Sequence, residues 1–161
     1  MFTQEELKYY RNLGVYKRSK ELVNLLFKDK KDKSGCPYIH HLEKVSEDFE
    51  DETLKSMALM HDALEDTSLR VEDLKNLGYE ESFIEVIKLL TNTYDTYEEY
   101  IDNLLSSNNL DALHIKLKDV LHNMDISRFV RPTEKDFKRV RNKYIKTYLK
   151  IIDKLEGESK K

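Results

Sequence analysis

Met57-Ala58-Leu59-Met60-His61-Asp62-Ala63-Leu64-Glu65-Asp66-Thr67 sets a His-Asp pair, and one helical turn later a Glu-Asp pair, into an otherwise small and apolar run. On an α-helix His61 and Glu65 are i,i+4 neighbours, as are Asp62 and Asp66, which puts four titratable groups in one sector. A segment whose other positions are Met, Ala and Leu is expected to be largely buried. Buried carboxylates are costly unless paired or bound to a metal. Taken alone, the stretch also reads as a helix end with a solvated acidic face and one satisfied histidine. The surrounding chain favours the first reading.

With 161 residues the chain is long enough for one domain with a real core. Its 28 basic and 31 acidic residues nearly cancel, to a net charge of -3, which is not the field of a general nucleic-acid binder. Four glycines and two prolines argue against a turn-rich β fold and for long helices. A single cysteine, Cys36, excludes an internal disulfide framework and a multi-cysteine zinc site. Met1-Phe2-Thr3-Gln4-Glu5-Glu6 is acidic with no apolar run behind it, unlike a signal peptide, and no run is long enough to span a membrane. The expectation is a soluble cytoplasmic protein with a small-molecule partner, no nucleic acid and no membrane.

Thr3-Gln4-Glu5-Glu6 is a capping-box pattern that opens a short helix closed by Gly14. A second helix is expected from Val15 to about Lys28, then a loop, Lys28 to Cys36, rich in lysine. That cluster reads either as a solvated face or as an electropositive rim for phosphate. Pro37 pre-sets a helix from Tyr38 to about Asp48, and the central helix is expected over Glu52–Glu65. Further helices are expected over Ser68–Leu77, Glu80–Thr91, from Thr96 onward (with a Tyr97, Tyr100, Ile101, Leu104, Leu105 stripe), and Leu110–Met124. Arg131-Pro132-Thr133 restarts a last helix to about Leu155, with Leu149, Ile151, Ile152 and Leu155 packing and its basic residues solvated. No strand is expected, and the fold class is all-α.

Three polar interruptions fall inside these apolar-patterned helices: His41, the His61-Asp62 pair, and Asp119. Ligands from several helices can converge on one ion. Two imidazoles and two carboxylates suit Mn²⁺, Fe²⁺ or another divalent ion in six-coordinate geometry, with water completing the shell. Such an ion lowers the pKa of a bound water. Glu65 and Asp66 could orient or deprotonate that water, and Asn123, i+4 from Asp119, could reach substrate or a ligand carboxylate. Each residue has a plainer reading. His40 and His41 cannot both face inward, Asp119 could pair with Lys116 or Lys118, and His122 and Asn123 could cap a helix end.

The order His41…His61-Asp62…Asp119 resembles the H…HD…D signature of HD-domain metal-dependent phosphohydrolases. More closely, the chain is similar to the pyrophosphohydrolase domain of RelA/SpoT-type proteins and small stand-alone alarmone hydrolases. The matching residues are Gly35-x-Pro37-Tyr38-Ile39-x-His41, Ala58-Leu59-Met60-His61-Asp62-x-x-Glu65-Asp66-Thr67, and Lys116-Leu117-x-Asp119-x-Leu121-His122-Asn123-Met124. The resemblance implies a single-domain HD-type helical bundle, here over residues 1–156, followed by a frayed tail over 157–161. It implies Mn²⁺ on His41, His61, Asp62 and Asp119, with His41 selected over His40 by register. Glu65 and Asp66 would position and activate water. Lys33, Tyr38, Lys116 and Asn123 would contact substrate, with Lys30 and Lys31 beside Lys33 helping to neutralise phosphates. The implied reaction is hydrolysis of the 3′-pyrophosphate of guanosine tetra- or pentaphosphate to pyrophosphate and GDP or GTP.

Departures from the family pattern are local. Asp32-Lys33 stands where Arg-Lys is common, Leu42 where proline follows the metal histidine, Lys118-Asp119-Val120 for Ala-Asp-Arg, and Asp125-Ile126 for Arg-Thr. None falls on an implied ligand. Asp32 favours an alternative substrate, a dinucleotide cofactor phosphate or a nucleoside monophosphate. A non-catalytic nucleotide sensor would be expected to have lost a ligand or the Glu-Asp pair, and both are complete. A purely structural helical module leaves the two pairs unexplained.

Overall fold

The computed structural model describes residues 2–159, and it is all-α. In chain order the helices are α1 (Gln4–Arg11), α2 (Val15–Leu26), α3 (Ile39–Ser46), α4 (Glu52–Met60), α5 (Ala63–Asp66) and α6 (Val71–Asn76). They continue with α7 (Glu81–Leu90), α8 (Tyr97–Ser106), α9 (Leu110–Met124), α10 (Glu134–Arg139) and α11 (Ile145–Ser159). A 3-10 turn (Ile126–Arg128) follows α9, and a π-helical turn (Val140–Tyr144) joins α10 to α11. Among the described residues no strand forms, and an isolated antiparallel bridge pairs Lys31 with Pro37 across the lysine-rich loop. No helix among them is long and apolar enough to cross a membrane.

Local chemistry sets the helix starts. Thr3 and Thr96 each form a reciprocal capping box with the glutamate three residues on, as their Thr-x-x-Glu patterns predict. Asp51 and Asn109 cap α4 and α9 by accepting from the Leu54 and Ala112 backbone N–H groups. The core is shared by Leu22, Val23 and Phe27 at α2, Leu42 and Val45 on α3, Met57–Met60 on α4, Ile84 and Ile87 on α7, and Leu113 and Ile115 on α9. α4 packs on α2, α3, α7 and α9, while α9 packs on α3, α7, α8 and α11. Burying each large aliphatic side chain contributes about 1.5–3 kcal/mol. Rotating the end of α4 to point His61 outward would expose Leu59 and Met60, both at most 1% accessible. The imidazole is held inside by its neighbours.

The central helix differs from its expected span. It stops at Met60 and resumes at Ala63, with His61 and Asp62 in the turn between. The His61 Nδ1 lies 2.7 Å from the Ala58 carbonyl oxygen, the acceptor that a continuous helix would offer to the Asp62 N–H. The last helix also differs: it is interrupted by the π-helical turn, and it extends to Ser159 rather than ending at about Leu155. Lys160 and Lys161, the end of the expected tail, lie outside the described residues. Leu149 does not pack, being 54% accessible, whereas Ile151 is fully buried.

Candidate metal centre

α3, the α4–α5 break and α9 bring four side chains together. His41, on the inner face of α3, is buried while His40 beside it is exposed. His41 Nε2 is 3.6 Å from Asp62 Oδ2 and 3.2 Å from Asp119 Oδ1. His61 Nε2 is 3.1 Å and 3.8 Å from the same two oxygens. Donor atoms about 2.1 Å from one ion are separated by roughly 3.0 Å when cis. The observed spacings are those of a ligand set around a point.

His41, His61 and Asp62 each offer a ligand atom, all within 4.8 Å of one another. The fit to a cation rests on one orphaned atom: His61 Nε2 is buried and has no hydrogen-bond partner, although Asp62 lies close by. A buried ring nitrogen left unpaired beside two carboxylates has the chemistry of a ligand. Electrostatics agree. Burial opposes charge on His61, yet the Asp62 and Asp119 carboxylates outweigh it and raise the imidazole to about 10. Burial likewise opposes ionisation of Asp62, and the charge on the adjacent His61 overrides it, holding the carboxyl at about 2. Asp119 is also held well below the carboxylate range, against its burial, by Lys116 and the two histidines. The carboxylates demand positive charge at this point.

Neighbouring groups fix the four. Tyr38 Oη donates to Asp62 Oδ2 at 2.6 Å. Asn123 Nδ2 donates to Asp119 Oδ1 at 2.5 Å, and Lys116 Nζ to Asp119 Oδ2 at 2.7 Å. His41 Nδ1 meets His122 Nδ1 at 2.6 Å. A His41 that presents the Nε2 lone pair to a cation carries its proton on Nδ1, which makes His122 Nδ1 the acceptor. Burial, with His41 and Arg128 nearby, lowers the His122 imidazole to about 4, which suits a neutral acceptor.

The site forms the floor of a cavity of about 350 Å³, a size suited to a nucleotide. Its walls hold every residue singled out in the sequence except His61: Lys33, Tyr38, His41, Asp62, Glu65, Asp66, Lys116, Asp119 and Asn123. Glu65 and Asp66 lie on α5 beyond the break. Glu65 Oε2 accepts from the Asn92 N–H at 2.9 Å, and Asp66 pairs with Lys30 at 2.8 Å. Lys30, Lys31 and Lys33 line the rim, so the lysine cluster faces the cavity.

Several cavity residues were not apparent in the sequence, among them Asn92, Tyr97, Tyr100 and Tyr144. Arg128 and Phe129 come from the turn after α9, and Arg139 and Lys143 from the junction of α10 and α11. The basic residues of the last helix are therefore not all solvated. Lys143 reaches inward from the π-helical turn, a distortion often found at functional sites, with its ammonium 4.0 Å from the Tyr97 ring centre. Burial, then Lys116 and Lys33, lower its pKa. Lys33 is lowered as well, by burial and by Arg139. Among the described residues neither lysine has a carboxylate within ion-pair distance.

No family model matches the chain, and no curated protein matches it by sequence. Among solved structures it is similar to one reported as a metazoan ortholog of SpoT that hydrolyzes ppGpp and plays a role in starvation responses. The likeness has a TM-score of 0.70 at 22% identity and covers 90% of this chain and 87% of that one. In fold, the chain resembles that RelA/SpoT-type hydrolase.

Proposed function

We propose that this chain is a divalent-metal-dependent phosphohydrolase that releases pyrophosphate from the 3′ position of guanosine tetra- or pentaphosphate, leaving GDP or GTP. The observation that carries the reading is the buried, unpartnered His61 Nε2, ringed by His41, Asp62 and Asp119 on the floor of a cavity with cationic walls. His41, His61, Asp62 and Asp119 would hold Mn²⁺ or Fe²⁺. When bound, such an ion supplies Lewis acidity toward a phosphoryl oxygen and acidifies water.

The chain's own residues do the rest. Glu65, steadied by the Asn92 N–H, takes the proton of the attacking water, and Asp66, tied to Lys30, orients that water. The water oxygen bonds to the phosphorus as the P–O bond to the nucleoside 3′-oxygen breaks; that oxygen takes up the proton Glu65 removed from water, and pyrophosphate is released. Lys33 and Lys143, which like Lys31 have no carboxylate partner among the described residues, neutralise phosphate charge that grows on the way to the transition state. Asn123 and Lys116 hold Asp119 in place at the edge of the substrate space. Tyr38 does the same for Asp62.

A second reading keeps the site and changes the substrate to another phosphorylated nucleotide, such as a dinucleotide cofactor phosphate or a nucleoside monophosphate. The departure at Asp32, which stands where arginine is common in the family, is the feature behind it. Pyrophosphate and orthophosphate release from a nucleotide panel, with and without Mn²⁺, separates the two. Pyrophosphate from guanosine tetraphosphate supports the first; orthophosphate from another nucleotide moves the substrate. No release from any nucleotide by metal-loaded protein refutes both and favours a sensor.

A further inference from the structure

The cations of the cavity wall are not equivalent. Lys33 and Lys143 are uncompensated, which suits phosphate. Arg128 is different: its guanidinium is neutralised by Asp32, which lies 96 positions earlier in the chain. A paired guanidinium has little net charge to offer a dianion, but it keeps a planar set of N–H donors held in one orientation.

We infer that Arg128 reads the base of the nucleotide, that Asp32 is its positioning residue, and that the base selected is a 6-oxopurine rather than a 6-aminopurine. This rests on the nucleotide reading above. Asp32 is already engaged by four hydrogen bonds. Its Oδ1 accepts from the Ser34 N–H at 2.8 Å, the Ser34 hydroxyl at 2.6 Å and the Cys36 N–H at 3.0 Å, while its Oδ2 takes Arg128. The Oδ1 bonds are local to the loop and fix the carboxylate that Arg128 meets.

Arg128 is engaged on one side only. One terminal nitrogen donates to the His122 carbonyl at 3.0 Å, the other to Asp32, and Nε–H has no partner among the described residues. With five N–H donors in a guanidinium, at least two remain for the cavity that Arg128 lines. Phe129, next to it, lines the same wall and offers an apolar surface for a base. Adjacent N–H donors match the O6 and N7 acceptors of guanine, whereas adenine presents N7 beside an amino donor. A half-buried donor facing that amino group would be left unpaired, and a site built to hydrogen-bond one partner discriminates in this way.

The test compares guanosine tetraphosphate with the adenosine analogue carrying the same phosphates, by kcat/KM and by equilibrium binding to metal-loaded Glu65→Gln protein. The native wall should favour guanine by roughly 5- to 150-fold, the range for a good bidentate pair. Arg128→Lys, which keeps charge but loses the fork, and Asp32→Asn, which frees the guanidinium, should erase most of that ratio. The loss should appear in KM and binding for guanine, with kcat and the adenine values little changed. If Arg128 only caps α9, both bases suffer equally and the ratio stays constant, and that result overturns the inference. So does a native protein that binds both bases alike. Base-selective binding without turnover of either nucleotide would refute the hydrolase reading and leave the assignment of Arg128 standing.

Discussion

Replacing Tyr38 by Phe removes one oxygen from the support of the metal centre. The hydroxyl donates to Asp62 Oδ2 at 2.6 Å, while the ring stacks on Phe27 at 5.3 Å between centres and stays in place. A hydrogen bond to a charged group contributes about 1.5–3 kcal/mol. The Asp62 side chain retains 17% of its accessible surface, so water can replace part of the lost donation. The net effect belongs at the low end, about 1–1.5 kcal/mol, or roughly 5- to 10-fold weaker metal binding. Mn²⁺ titration of metal-free protein by calorimetry measures it directly, with thermal melting as the control for folding. If Tyr38 instead contacts substrate alone, metal affinity is unchanged and KM rises. Unchanged metal affinity would refute the supporting role argued from the 2.6 Å contact.

Three further outcomes are expected. Glu65→Gln should bind metal normally while kcat falls by ~10²-fold or more, the scale of general acid–base contributions; near-native turnover would remove Glu65 from proton transfer. His122→Ala should weaken Mn²⁺ binding about 10- to 100-fold by freeing the His41 ring, with His122→Asn recovering part of it, and a native affinity would show that the His41–His122 contact does not orient the ligand. Asp32 is depressed below its ordinary 3.8, since hydrogen bonds from Ser34, Arg128 and Cys36 override the burial that would raise it. Its stabilisation is complete above that ordinary value and is lost as pH falls through the lower folded-state value. Urea midpoints at pH 7 and pH 3 should therefore lie closer together in Asp32→Asn than in the native protein; an identical pH response would contradict the shift.

Much of this was legible in the sequence because helix periodicity and capping signals are local. Thr3 and Thr96 mark their helices by pattern alone, and Leu110–Met124 is observed over the expected span. The break at His61-Asp62 was not legible, since no glycine or proline signals it. It arises when the His61 ring occupies the Ala58 carbonyl, a side-chain bond that competes with the helix. Arg128 and Lys143 escaped for another reason. Their roles depend on how the turn after α9 and the π-helical turn fold back over the cavity, and charge on a helix surface looks the same whether it faces solvent or a ligand. Leu149 shows the converse error: helical spacing marks it as apolar, but nothing local says that its face lacks a neighbour.

The central claim is that one divalent ion on His41, His61, Asp62 and Asp119 drives phosphoester hydrolysis. The most direct measurement is pyrophosphate release from guanosine tetraphosphate as metal-free protein is titrated with Mn²⁺, with bound metal counted in the same samples. The account predicts no release from chelated protein and a rise that saturates at about one ion per chain, as expected for one mononuclear site. Release that persists unchanged in chelator, or full metal occupancy with no hydrolysis, would contradict it.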